Sequence, residues 1–185
     1  MEISGICGKK INETKSLNVE KHKIKTKTMS KINEIVNLVD EIEIIEAVGT
    51  IIWNKKEETD GFTDLSEGEK TFVFIDIFEG AMNEGGFQFF FENETGDYAR
   101  EIVEAYKKIG ATKTANIIAK AIGLFGINNF SNDLETRELV MEKLEDSVFS
   151  GWEDLDEIFF SEEQEEDVVA LIVSYIKNNK SEFNY

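Results

Sequence analysis

Apolar side chains recur at intervals of three and four residues through most of the chain after residue 30, and this periodicity constrains the fold most strongly. In the first such stretch, Ser30 is placed to cap a helix whose apolar face runs from Ile32 to Ile45. No segment alternates apolar and polar residues over the length of a strand. The chain contains no proline, which agrees with helices joined by glycine-containing turns. We therefore expect a compact all-α domain of seven or eight helices.

The starts of the later helices are marked by local signals. Three segments match the capping box, in which a serine or asparagine is followed three positions later by an acid or amide. We expect the first helix to continue to Trp53, with a break or kink at Gly49, and residues 54–64 to form a loop. Two further helices are expected to open at Asp97 and Thr112, and the first of them is expected to end at Gly110. The capping boxes begin at Ser66, Asn132 and Ser161, and their helices are expected to end near Asn83, Val148 and Asn178.

A glycine pair ends the most apolar of these segments, and an aromatic block follows it. Glycine permits a tight break between helices, and the aromatic side chains are suited to filling a core, so we interpret the motif as structural. The motif residues are Gly85, Gly86, Phe87, Phe90, Phe91, Asn93, Gly96 and Asp97.

These residues resemble the motif of a bacterial family of small acidic helical proteins, the DNA mimic proteins of the nineteen type, over about residues 65–126. Two positions depart from the family pattern: Glu84 stands where asparagine is usual, and Phe89 where a polar residue is usual. The resemblance implies an all-α fold. It also implies a display of carboxylates that imitate DNA phosphates to a transcription factor.

Charge divides the chain into two parts. The whole chain has 20 Lys and Arg residues and 38 Asp and Glu residues, which gives a net charge of −18. Residues 1–31, however, contain eight lysines and only three glutamates. We expect residues 1–29 to be a disordered basic leader, the alternative being a functional basic arm. Residues 30–185 would then form the acidic helical domain.

The acidic excess is concentrated between residues 133 and 167, where 15 acids accompany only Arg137 and Lys143. If one helix carried four glutamates of this region, their mean step would be about 5 Å of helix rise, similar in scale to the roughly 3.4 Å between phosphates of one DNA strand. The predicted partner-binding residues are Asp133, Glu135, Glu138, Glu142, Glu145, Asp146, Glu153, Asp154, Asp156, Glu157, Glu162, Glu163 and Glu166.

The charge also decides which partners are suitable. DNA is a dense polyanion, so direct binding to nucleic acid is excluded, and a basic DNA-binding protein such as a transcription factor is the expected partner. Two alternatives stay open: an immunity protein that plugs a basic nuclease toxin, and a helical scaffold whose charge binds nothing. A homodimer is compatible with the sequence, since pairing two acidic stripes would lengthen the mimic. No apolar run fits a signal peptide or a membrane span, so we expect a cytoplasmic protein without a membrane partner.

Enzymatic activity is not expected. The only histidine, His22, and the only cysteine, Cys7, both lie in the leader, which leaves no nucleophile–base pair for the helical domain. A carboxylate dyad of Glu79 with Glu84 or Asp76 is the alternative, although we expect Asp76 and Glu79 to pair with Arg100 or a lysine, or to cap a neighbouring helix. No calcium loop is present in the acidic region, and neither a metal nor a cofactor is predicted.

Overall fold

The computed structural model describes residues 30–59, 61–161 and 166–185, and within these ranges it is helical without any strand, so the all-α prediction is confirmed. Two short 3-10 helices, Glu94–Tyr98 and Lys180–Glu182, accompany the α-helices. None of the described helices is long and apolar enough to cross a membrane. The eight α-helices are α1 (Lys31–Ile35), α2 (Glu41–Glu58), α3 (Glu67–Glu92), α4 (Ala99–Ile109), α5 (Thr112–Gly123), α6 (Leu134–Met141), α7 (Asp146–Phe159) and α8 (Val168–Asn178).

Helix α3 is the centre of the domain, since α2, α4, α6 and α7 all contact it. It begins as predicted with a capping box: the Ser66 hydroxyl accepts a hydrogen bond from the Glu69 backbone N–H, and the Glu69 carboxylate accepts one from the Ser66 N–H. Most of the side chains that α3 buries are apolar, and Phe78 among them packs edge-on against Phe90 and Tyr106. The central position of α3 explains why its sequence is so apolar.

The glycine pair breaks α3 as expected. Gly85 and Gly86 have non-helical backbone angles, and Gly86 lies at φ +68° and ψ −158°, a conformation that only glycine adopts readily. Helical geometry resumes at once, so the aromatic block occupies the last turns of α3. Phe87, Phe90 and Phe91 are completely buried there.

The first predicted helix is wrong in its boundaries. It is two helices, because the chain leaves helical geometry after Ile35 and restarts at α2, where the Asp40 carboxylate caps the N-terminus by accepting from the Ile42 N–H at 2.8 Å. Gly49 lies inside α2 without breaking it, at a close approach where a methyl group would lie 3.3 Å from the ring of Phe72. Helix α2 also continues into the segment predicted as a loop and ends only at Glu58.

The prediction of one helix from residue 133 to Val148 is also wrong. The N-cap is Asp133 rather than Asn132, α6 stops at Met141, and α7 begins at Asp146. The final helix likewise starts later than predicted: Asp167 caps it by accepting from the Ala170 N–H at 2.9 Å.

The boundaries of α4 and α5 follow the sequence more closely. Gly110 ends α4 in the left-handed conformation (φ +90°), and α5 opens at Thr112, both as predicted. Asp97, by contrast, belongs to the 3-10 turn before α4.

Candidate partner-binding surface

A buried arginine fixes the position of α6. The guanidinium of Arg137 is completely shielded from solvent, although it lies in the most acidic part of the sequence. It donates to three backbone carbonyls, those of Phe91 (2.7 Å), Asn93 (2.7 Å) and Ser131 (3.0 Å), and it lies 2.9 Å from the Asp97 carboxylate. The planar guanidinium thereby satisfies the carbonyls at the end of α3 and joins that end to α6.

Several residues of the glycine–aromatic motif contact Arg137. Asn93 and Asp97 supply a carbonyl and a carboxylate to it, while Gly96 lies so close that a methyl group there would be 3.0 Å from the guanidinium. The sequence predicts a structural motif here, but it does not predict that the motif contacts Arg137. The only available signal was an isolated arginine within a run of acids.

Nine of the predicted partner-binding acids have exposed side chains on or beside α6 and α7. We refer to them together as the acidic surface. Trp152 and Leu155 bury the opposite side of α7, which leaves its carboxylates to solvent. The acidic surface comprises Asp133, Glu135, Glu138, Glu142, Glu145, Asp146, Glu153, Asp154 and Glu157.

The break between α6 and α7 changes the predicted arrangement of charge. Glu135 and Glu138 lie on α6, but Glu142 is its C-cap and Glu145 is the N-cap of α7. The regular phosphate-like step expected along one helix is therefore absent. The acidic surface is built instead from two helices and the turn between them.

Two of the predicted acids have internal roles. Asp156 is half-buried and accepts from the Phe87 N–H at 2.9 Å, where helical geometry resumes after the glycine pair. Burial raises the pKa of Asp156, while this hydrogen bond opposes the rise. Glu166 accepts from the N–H groups of Lys113 (3.2 Å) and Thr114 (2.7 Å) and so caps α5. Glu162 and Glu163 lie outside the described residues.

The acids of the acidic surface make no ion pairs with the described residues. Among the described residues, every ion pair involves an acid outside it, such as Glu67, which pairs with both Lys70 and Lys108. One acid of the surface makes a side-chain capping bond: Asp133 accepts from the Thr136 N–H at 2.9 Å, and hydrogen bonds from Thr136 hold the pKa of Asp133 below its usual range. Like charges that remain unneutralised repel one another, so they favour a cationic partner.

The carboxylates of α3 do not form the predicted pairs. Glu79 accepts a hydrogen bond from the Tyr106 hydroxyl, and Asp76 accepts from the Trp53 indole N–H at 2.8 Å. The expected pairing of these acids with Arg100 or a lysine is therefore wrong. The pKa of Glu79 is raised: burial and the nearby Asp76 charge raise it, and the hydrogen bond from Tyr106 opposes them. Glu84 is exposed.

No cluster of three or more metal-ligating side chains occurs within the ranges that the structure describes.

Comparison with known protein families gives one match. The model of a family described as DMP19-like protein matches residues 63–179, which is most of the described chain and includes α3 to α8. No curated protein and no solved structure matches the chain.

Proposed function

This chain belongs to the DMP19-like family of DNA mimic proteins, and we propose that its acidic surface binds the DNA-binding face of a basic protein and excludes DNA from it. The family suggests protein partners with surfaces that accept DNA. For this chain we propose a transcription factor or another basic DNA-binding protein in the bacterial cytoplasm. The action is occlusion and needs no catalytic group.

One observation carries this proposal: nine exposed carboxylates lie on or beside two adjacent helices, and none has an ion-pair partner in the described part of the chain. Acids at i and i+3 or i+4 on a helix repel one another, by roughly 0.2–0.5 kcal/mol per pair. A basic partner removes that repulsion and gains attraction at the same time. Binding should therefore weaken with added salt, because salt screens exposed charges.

Contacts with the core hold the two helices of the acidic surface in place. Helix α6 is fixed to α3 by Arg137, and α7 is fixed by Trp152, which is completely buried and donates its indole N–H to the Ala121 carbonyl at 3.0 Å. A surface held in this way is preorganised, so little conformational entropy is lost when a partner binds.

The test is capture of a partner from host lysate at low salt, with two variants of equal net charge. The surface variant carries Gln in place of four glutamates of the acidic surface. The control variant carries Gln at four exposed glutamates of α1 and α2, none of which makes a side-chain hydrogen bond or ion pair in the described residues. The surface variant changes Glu135, Glu138, Glu142 and Glu145, and the control variant changes Glu34, Glu43, Glu46 and Glu58.

We expect a basic DNA-binding protein to be retained by the wild type and by the control variant, and to be lost from the surface variant. Release of the captured protein by competing DNA would support occlusion. Equal retention by both variants would contradict a role for the acidic surface. The identity of the captured protein also distinguishes a transcription factor from a nuclease.

A further inference from the structure

A cleft of about 570 Å³ opens within the acidic surface, where the end of α3 meets the end of α6 and the start of α7. Its floor is apolar, formed by Met141 and Phe149. Its rim consists of three exposed carboxylates, Glu92, Glu138 and Glu142. Glu92 lies about 40 residues before the acidic region of the sequence, so only the fold brings it to this cleft.

The apolar floor is rigid. The ring of Phe149 packs edge-on against Trp152 with centroids 5.4 Å apart, and Met141 is only 8% exposed. Glu138, three residues before Met141, directly follows the buried Arg137, so the arginine that fixes α6 also fixes the backbone on one side of the rim. Both components of the cleft therefore keep their positions without a ligand.

The rim is unneutralised. No described cation lies within ion-pairing distance of its three carboxylates, and the side-chain partner of Glu92 is the neutral amide of Gln88, at 2.7 Å. A suitable occupant needs a long apolar stem, a cationic head and several hydrogen-bond donors. Arginine has all three, and its planar head also stacks favourably on an aromatic ring.

We propose that this cleft receives an arginine side chain of the basic partner, with its stem on Met141 and Phe149 and its guanidinium between the carboxylates of Glu92, Glu138 and Glu142. The proposal rests on the proposed function and gives it a central contact. Binding energy in protein interfaces is concentrated in such anchored side chains, among which arginine is enriched. The rest of the acidic surface would then supply long-range attraction.

The test uses a short blocked peptide, acetyl-Gly-Ser-Arg-Ser-Gly-amide, and the full-length chain labelled with ¹³C at the methionine methyl groups. Matched peptides carry lysine, uncharged citrulline or norleucine in place of arginine. We expect the Met141 methyl signal to shift with the arginine peptide, whereas the signal of Met82, buried inside α3, stays in place as the internal reference. The citrulline peptide should bind about five-fold more weakly, which corresponds to roughly 1 kcal/mol of surface ion pairing.

Two double variants of equal charge localise the binding. Glu92→Gln with Glu138→Gln should reduce arginine-peptide binding to the citrulline level, whereas Glu135→Gln with Glu153→Gln should leave it within about two-fold of wild type. An unmoved Met141 signal, equal shifts with citrulline, or equal losses in both double variants would overturn the proposal.

The lysate capture separates failure of the cleft from failure of the function. If the basic partner is retained by the Glu92/Glu138 variant but lost from the four-glutamate surface variant, the cleft assignment is wrong and DNA mimicry stands. If wild-type protein captures no basic partner while the Met141 signal still responds selectively to arginine, the cleft binds arginine and the proposed function fails.

Discussion

Arg137 shows at the scale of one residue how a cation can stabilise an acidic protein without neutralising its surface. Its guanidinium is buried, where three backbone carbonyls and the Asp97 carboxylate surround it. A sequence-based count of charges treats it as a counter-ion for neighbouring acids. The structure instead makes it the link between α3 and α6, since a buried arginine needs hydrogen-bond acceptors for its whole planar head.

Replacement of Arg137 by lysine keeps the charge but loses the geometry of the guanidinium. A lysine cannot reach all of these acceptors, so buried carbonyls remain without donors, and we expect the free energy of unfolding to fall by roughly 2–4 kcal/mol. Urea denaturation measures this loss. The matched control is Arg100→Lys, because Arg100 is exposed and lies over the Phe130 ring at 5.7 Å. Equal effects of the two substitutions would contradict the role assigned to Arg137.

Glu79 predicts a pH dependence. Because burial raises its pKa in the native state above the ordinary value of 4.5, the native protein retains this proton at pH values where the unfolded chain has lost it. The contribution of Glu79 to stability therefore decreases as the pH rises through that interval. We expect Glu79→Gln to gain stability relative to wild type as the pH rises above the ordinary carboxyl pKa of 4.5, measured by urea denaturation. The exposed Glu84→Gln is the control, and a pH-independent difference for Glu79→Gln would refute the expectation.

At the scale of an element, the kink in α3 determines where the aromatic block points. Gly86 adopts a backbone conformation that other residues avoid, and the Asp156 carboxylate fills the space where its side chain would be. Because this carboxylate also accepts from the Phe87 N–H, α7 packs against the kink. The glycine pair thus connects the core of α3 to the helix that carries four of the nine acids of the acidic surface.

Gly86→Ala should destabilise the domain strongly, because the new methyl carbon would overlap an Asp156 carboxylate oxygen and the backbone would be strained. We expect a loss of at least about 2 kcal/mol in thermal or urea unfolding. Gly80, in the same helix, has nothing within 4 Å of an added methyl group. Gly80→Ala should therefore raise stability by about 0.5–1 kcal/mol, because alanine favours helix. A mild effect at Gly86 would show that the kink is not required.

The comparison of these elements with the sequence explains which features could be predicted. Ser66 and Gly110 act through neighbours in the chain, so their cap and stop were visible in the sequence. The ends of α1 and α6 could not be predicted from the sequence, because the apolar spacing continues across both breaks. The role of Arg137 and the inclusion of Glu92 in the cleft depend on contacts between segments about 45 residues apart.

At the scale of the whole molecule, the distribution of charge follows from which acids have structural duties. Glu69, Glu79, Asp156 and Glu166 all accept hydrogen bonds from other parts of the domain, and Glu67 pairs with two lysines. The nine acids of the acidic surface, by contrast, make no such contacts in the described residues, apart from the Asp133 cap. The net charge alone predicts a cationic partner, whereas the structure shows which carboxylates are exposed and make no ion pair in the described residues.

The most direct measurement of DNA mimicry is competition on the captured partner. Fluorescence anisotropy of a labelled DNA duplex bound to that partner would be followed while wild-type protein, the surface variant or the control variant is added. We predict that the wild type and the control variant displace the duplex, that displacement weakens as salt rises, and that the surface variant displaces it far less. If the duplex stays bound when the partner is saturated with wild-type protein, the two do not share a binding face, and the claim of DNA mimicry is contradicted.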